Sequence, residues 1–121
     1  MNKINPKIGK YGEERWCDDN GELHRTYGPA LIYPNGAEYW YQHGQLHRLG
    51  GPAASYANGN KHWFENNNRH RIDGPAVIWA DGIFEWYLNG IQITSSLEFR
   101  RTGNLTDEQM TILFLKYGEI K

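Results

Sequence analysis

The first three quarters of the chain consist of short apolar and aromatic runs that polar turn residues separate at close intervals. Leu31-Ile32-Tyr33 and Tyr39-Trp40-Tyr41, for example, stand on either side of Asn35-Gly36. Asn-Gly and Asp-Gly steps favour hairpins, because a type I′ turn needs a positive φ at both central residues. The pattern therefore predicts a meander of short antiparallel strands, with a two-residue turn at each such step.

One pattern returns at a constant interval of 23 residues, which marks a repeat architecture. It unites four series: His24-Arg25, His47-Arg48 and His70-Arg71; Gly28-Pro29-Ala30, Gly51-Pro52-Ala53 and Gly74-Pro75-Ala76; Asn35-Gly36, Asn58-Gly59 and Asp81-Gly82; and Trp40, Trp63 and Trp86. Three full units and a partial fourth are thus predicted over residues 16–93, between a lead-in at 1–15 and a C-terminal segment at 94–121. The whole chain is predicted to form a single domain.

The repeated motif W-Y-x-x-G-x-x-H-R-x-x-G-P-A extends from Trp40 to Ala53 and from Trp63 to Ala76, with an incomplete first copy from His24 to Ala30. It resembles the MORN family of repeats, in the variant found in bacteriophage and large-virus proteins. The resemblance implies β-hairpins stacked into one elongated, twisted sheet, and a role as a scaffold or binding surface. It also implies a virus-encoded factor that binds and modulates a host protein in the bacterial cytoplasm.

Two-residue turns fix which residues share a face of the predicted sheet. With turns at Asn35-Gly36 and His43-Gly44, Trp40 lies opposite both Leu31 and His47. Trp and His then form a structural row on one face: Trp40, His47, Trp63, His70 and Trp86. The other face is predicted to be mixed aromatic and basic, and it supplies the candidate partner-binding residues: Tyr39, Tyr41, Arg48, His62, Phe64, Arg69, Arg71 and Tyr87.

The tail is predicted to cover the C-terminal end of the Trp face. Leu97 to Arg101 is expected to add a strand. Asp107 to Tyr117 has a helical pattern, with Thr106 as N-cap and Gln109 completing a capping box. The apolar stripe of this helix is expected to pack on the sheet: Met110, Leu113, Phe114 and Tyr117 against Val77, Trp79, Phe84 and Trp86. The alternative is a helix reserved for a partner.

Histidine is the strongest candidate for chemistry, because its pKa lies near neutral pH. His24, His47 and His70 recur once per unit, however, so we interpret them as structural. The Arg that follows each is expected to bond loop carbonyls or to stack on an aromatic ring. Cys17, expected opposite His24, is interpreted as an inert thiol, and the histidines do not converge at the spacing of a zinc site. We therefore expect no catalytic residue, no metal and no cofactor.

Composition and charge reduce the number of protein classes to which the chain could belong. The 14 glycines and 11 asparagines fit a turn-rich sheet, and 17 aromatic residues replace much of the usual Val and Leu. Residues 16–93 hold 5 basic and 8 acidic side chains, which argues against sequence-independent binding to the phosphates of nucleic acid. No run approaches the roughly 18 apolar residues of a membrane span. The lone cysteine and polar start indicate a cytoplasmic protein.

A thin sheet leaves a face uncovered, and aromatic and Arg residues dominate interface hot spots. We therefore expect a non-enzymatic module that binds another protein. The alternative is a small ligand, such as choline, a sugar or a nucleotide, held in aromatic cages between repeats, as in the choline- and glucan-binding hairpin solenoids. An unpaired edge strand around Glu14 to Cys17 would also allow a homodimer.

Overall fold

The computed structural model describes residues 5–120, which form an antiparallel meander followed by two helices. The strands are short: β1 Lys7–Ile8, β2 Glu14–Arg15, β3 Leu31–Ile32, β4 Glu38–Tyr39, β5 Tyr41–Gln42, β6 Gln45–Leu46, β7 Ala54–Ser55, β8 Lys61–His62, β9 Phe64–Glu65, β10 Asn68–Arg69, β11 Val77–Ile78, β12 Phe84–Leu88 and β13 Ile91–Ile93. The helices are α1 Ser96–Gly103 and α2 Asp107–Tyr117. The predicted fold class, an all-β hairpin meander with a helical C-terminus, is confirmed. No helix in residues 5–120 is long and apolar enough to cross a membrane.

Nine strands form one continuous sheet in the order β1-β2-β3-β4-β7-β8-β11-β12-β13. Each repeat extends beyond this sheet as a second, smaller hairpin, β5-β6 in one unit and β9-β10 in the next. The second hairpins turn as predicted: both central residues of the His43-Gly44 turn have positive φ, 46° and 83°. That geometry is the two-residue type I′ turn.

The Asn-Gly turns of the main sheet differ from the prediction by one residue. Leu31 lies opposite Tyr39 and not opposite Trp40. The loop has three residues, because the Tyr33 amide bonds the Ala37 carbonyl at 2.9 Å and Gly36 alone has a positive φ, 95°. The side chain of Asn35 accepts a hydrogen bond from the Ala37 amide at 3.0 Å, which stabilises this three-residue loop. The two-residue turn predicted here is wrong, and the predicted division of residues between the faces changes with it.

A hairpin of the same kind precedes the first Trp. Lys7–Ile8 pairs with Glu14–Arg15, and the Gly9 amide bonds the Glu13 carbonyl at 2.8 Å in the same loop geometry. Glu14–Arg15 pairs on its other side with Leu31–Ile32. The strand expected to be an open edge is therefore paired on both sides, and the described edge of the sheet is β1.

The His-Arg-x-x-Gly-Pro motif builds a contact that we call the arginine staple. The guanidinium carbons of Arg25, Arg48 and Arg71 lie 3.8, 3.8 and 4.0 Å from the ring centroids of Trp16, Trp40 and Trp63. The same guanidinium groups donate to the carbonyl oxygens of Pro29, Pro52 and Pro75 at 3.2, 3.1 and 3.1 Å. Both contacts expected of the repeated Arg, to an aromatic ring and to a loop carbonyl, are present.

The repeated histidines join each unit to the next through what we call the histidine latch. Nδ1 of His24, His47 and His70 accepts the backbone N–H of the residue 19 positions later. The donors are His43, Asn66 and Asn89, at 3.0, 3.1 and 2.9 Å. All three donor residues have positive φ, so the latch holds the turn of the next hairpin. Each of the three repeated histidines thus makes the same hydrogen bond to the backbone of the next hairpin, which agrees with a structural role.

The C-terminal segment contains two helices where one was predicted. Residues 97–101 belong to α1 and not to a strand: Ser95 caps its start by accepting the Glu98 amide at 3.1 Å, and Asn104 ends it in the left-handed conformation. Helix α2 has its predicted bounds, its Thr106–Gln109 capping box and its end at Gly118.

The helices bury the apolar end of the sheet, where the largest hydrophobic cluster lies. It contains Trp86, Leu88, Ile93, Phe99, Leu105, Met110, Leu113 and Ile120, with Tyr117 packed against it. Tyr117 contacts Phe84 and Trp86, two of the four sheet residues expected under the helix. The other two, Val77 and Trp79, lie on the opposite face because of the register described above.

Candidate functional site: an aromatic ladder on the open face

One face of the sheet carries a row of touching rings that we call the aromatic ladder. It consists of Tyr33, Tyr39, Tyr56, His62 and Trp79. Successive ring centroids are 6.0, 5.6, 5.3 and 5.3 Å apart, and every contact is edge to face. This is the preferred geometry of aromatic pairs, so the rings support one another along the sheet.

The repeat and the register together explain why the rings meet. Tyr33, Tyr56 and Trp79 each stand directly before a three-residue loop and form the hydrogen-bonded pair that closes it. Tyr39 and His62 stand on the strands that follow, directly opposite the small or aliphatic residues Leu31, Ala54 and Val77. Leu31, Ala54 and Val77 are buried, and so is the ring of His62, while the other four rings remain at least partly exposed. The ladder therefore covers a thin core with one side and faces solvent with the other.

The two faces of the sheet are covered differently. In β12 the alternate residues Phe84, Trp86 and Leu88 point to the helices, whereas Glu85 and Tyr87 point to the ladder side. The arginine staples and both helices thus belong to the face opposite the ladder. Tyr56 is 39% exposed in the middle of the ladder.

A polar cluster lies beside the ladder at its C-terminal end. Arg69 stands over the rings of Phe64 and Tyr87, 5.3 and 5.6 Å from their centroids, and its Nε donates to Nδ1 of His62 at 3.4 Å. The Glu85 carboxylate accepts from Trp79 Nε1 at 2.6 Å and from the Tyr87 hydroxyl at 3.0 Å.

Burial favours the uncharged form of four titratable side chains on this face, since it shifts the pKa of each. Burial raises the pKa values of Tyr39 and Tyr41, and neighbouring tyrosines add to the effect. Burial lowers the pKa of His62, and the nearby charge of Arg69 lowers it further. Burial and the hydrogen bond to Glu85 raise the pKa of Tyr87. At neutral pH the ladder is therefore an uncharged aromatic surface with charged groups at one end.

The structure brings most of the predicted binding residues to this face and separates two from it. Tyr39 and His62 belong to the ladder, Tyr33 and Tyr56 are close enough to Tyr41 to raise its pKa, and Phe64, Arg69 and Tyr87 form the cluster. Arg48 and Arg71 lie on the other side, in the arginine staples. Their assignment to the aromatic face was wrong, because a residue bound to the ring of Trp40 or Trp63 belongs to the Trp side.

The predicted set omits four residues of this face: Tyr33, Tyr56, Trp79 and Glu85. The assumed two-residue turn assigned the first three to the Trp face. A signal for them exists in the sequence, since Tyr33, Tyr56 and Trp79 form an aromatic series at the same interval of 23 residues. The series Tyr41, Phe64 and Tyr87 repeats in the same way. These two series, unlike that of Trp40, Trp63 and Trp86, lie on the ladder side.

Other candidate chemistry does not assemble into a site in the described part of the chain. Cys17 lies opposite Leu23 and not opposite His24 as expected. His43 contacts Asp18 at 2.8 Å and stacks on His24 with centroids 3.9 Å apart, but residues 5–120 contain no group of three His, Cys, Asp or Glu side chains placed to hold a metal.

Comparison of the chain with family models, with curated proteins and with solved structures finds no match. The resemblance to MORN repeats therefore stays a prediction that rests on the motif and on the stacked hairpins.

Proposed function

We propose that the chain is a non-enzymatic module that binds another protein through the aromatic ladder. The observation that carries the proposal is the row of five touching rings on the face that the helices and staples leave uncovered. Large aromatic side chains with an adjacent Arg are the composition of interface hot spots. Rings that already support one another lose little conformational entropy when a partner covers them.

A protein partner suits this surface better than a small ligand in aromatic cages. A cage for a quaternary ammonium group needs an open ring face. The Trp rings between successive hairpins already carry the guanidinium groups of Arg25, Arg48 and Arg71. The rings of the ladder touch edge to face, at 5.3 to 6.0 Å, and so form a surface without a cage between them.

The biological setting of the proposal rests on the sequence. The resemblance to repeats of bacteriophage proteins supports a virus-encoded factor that binds and modulates a host protein. A single cysteine, with no second one for an internal disulfide, fits the reducing bacterial cytoplasm.

The test is affinity capture from a bacterial lysate with paired variants. Tyr56→Ala removes the central ring of the ladder. Tyr27→Ala is the matched control, because Tyr27 is 93% exposed and outside the ladder. We expect Tyr56→Ala to lose the captured protein and Tyr27→Ala to retain it. Equal capture by both variants would show that the partner binds elsewhere.

A further inference from the structure

Arg69 is the cation next to the open ladder, and the fold holds it in place without neutralising it. It lies on β10 directly opposite Phe64, and the rings of Phe64 and Tyr87 support its guanidinium. Only Nε is engaged by a hydrogen bond, to His62. Its terminal nitrogens have no hydrogen bond to another residue between Asn5 and Ile120.

The terminal nitrogens of Arg69 are free of the contacts that engage the other arginines of the sheet, since the guanidinium groups of Arg25 and Arg48 are bound in the arginine staples on the opposite face. Arg15 and Arg71 form ion pairs with Glu13 and Asp73, at 3.3 and 3.0 Å. Arg69 forms no ion pair with any carboxylate of the described residues. Glu85, an acidic side chain on this face, accepts hydrogen bonds from Trp79 and Tyr87. The ladder therefore presents an unpaired guanidinium beside an uncharged aromatic strip.

We propose, in an inference that rests on the proposed function, that the ladder binds an extended protein segment with one Asp or Glu among apolar residues. The carboxylate is recognised by the terminal nitrogens of Arg69, and the flanking apolar side chains cover the rings. Charge complementarity carries the choice, because an unpaired Arg fork matches a carboxylate in a bidentate manner.

The shape of the surface agrees with an extended segment. The ladder residues stand on or directly after five neighbouring strands, β3, β4, β7, β8 and β11. At about 4.8 Å per strand spacing, the four spacings make the strip about 19 Å long, which about six extended residues cover. Planar support by two rings also reduces the rotamer freedom that Arg69 loses on binding.

The test is selection from a library of displayed random peptides of about ten residues, long enough to cross the strip. The immobilised baits are the wild type, Arg69→Glu, Arg69→Gln, Tyr56→Ala and the control Lys61→Gln. Lys61 stands on β8 next to His62, so its side chain projects from the opposite face. Lys61→Gln removes one positive charge, as Arg69→Gln does. Circular dichroism of each bait verifies the fold.

We expect the wild type and Lys61→Gln to enrich the same peptides, with Asp or Glu beside apolar residues. Arg69→Glu should instead enrich Lys or Arg at that position. A wild-type peptide should bind Arg69→Gln at least about tenfold more weakly, as Trp fluorescence titration would measure.

Two other outcomes would overturn the inference. One would leave the proposed function intact, and the other would refute it as well. Peptides without an acidic residue that bind wild type and Arg69→Glu alike, but not Tyr56→Ala, would refute the role of Arg69 and leave the ladder as the binding surface. No enrichment, or enrichment that Tyr56→Ala does not affect, would refute the extended segment and the binding role of the ladder together.

Discussion

At the scale of single residues, the guanidinium of Arg48 lies between the ring of Trp40 and the backbone of Gly51. A β-carbon at Gly51 would stand 2.7 Å from the guanidinium carbon, and the equivalent positions at Gly28 and Gly74 would be 2.9 and 2.6 Å from theirs. These three glycines have no positive φ, so they are required for space and not for conformation. The spacing of Arg and Gly-Pro in the motif thus follows from the geometry of the arginine staple.

Gly51→Ala should destabilise the fold by about 1–2 kcal/mol, because the displaced Arg48 loses its ring contact and its bond to Pro52. Urea unfolding would measure the loss. The double-mutant cycle with Arg48→Ala is the control, since without the guanidinium the added methyl group meets no clash. An equal cost of Gly51→Ala in both backgrounds would contradict the staple.

The histidine latch makes stability depend on pH at His24. Nδ1 of His24 accepts the His43 amide, so the latch requires an unprotonated Nδ1. Burial lowers the pKa of His24 below its ordinary value of 6.5, and the charge of His43 adds to the effect, while Asp18 opposes it. Because the unfolded chain then binds the proton more readily, the contribution of His24 is complete above pH 6.5 and is lost as the pH falls through its lowered pKa.

His24→Asn keeps an acceptor near the Nδ1 position without a titrating ring. We therefore expect the free energy of unfolding of the wild type to fall as the pH is lowered below 6.5, and His24→Asn to flatten part of this dependence. The remaining slope belongs in part to His62, whose pKa burial also lowers. Denaturant titrations across this range measure both; parallel curves for the two proteins would exclude His24 from the effect.

At the scale of elements, the sequence predicts the existence of the hairpins better than their register. The strand and turn signals, the 23-residue period and helix α2 are all confirmed. Asn-Gly, however, fits a two-residue type I′ turn as well as a three-residue loop with glycine in the left-handed region. The choice depends on cross-strand packing, here Leu31 against Tyr39, which the turn residues do not encode.

Helix α1 shows the same limit in another form. Leu97 to Arg101 alternates apolar and charged residues like a strand, yet only Phe99 is fully buried. The Ser95 cap and the left-handed Asn104 define a helix at its two ends. In this segment of 8 residues the capping residues therefore determine that a helix forms. The alternation of apolar and charged residues led to the wrong prediction of a strand.

At the scale of the molecule, the stacked units are alike in hydrogen bonding but differ in hydrophobic support. Trp16 and Trp63 donate equivalent amide bonds to the carbonyls of Ala30 and Ala76, at 2.8 and 2.7 Å. The largest cluster of buried apolar side chains, however, lies at the C-terminal end, around Trp86 and Phe99. In a linear array each unit is stabilised mainly by its neighbours, so stability should decrease away from that cluster.

Native-state hydrogen exchange tests this gradient, because it reports the opening free energy of single amides. The Trp16 amide should open at a lower free energy than the Trp63 amide. Phe99→Ala removes a fully buried ring and should cost about 3–5 kcal/mol where the amide depends on the cluster. Trp63 should therefore lose more protection than Trp16, while Leu97→Ala, at a position 55% exposed in the same helix, should change neither. Equal opening free energies at both amides, with equal losses in Phe99→Ala, would mean that the repeats unfold as one cooperative unit.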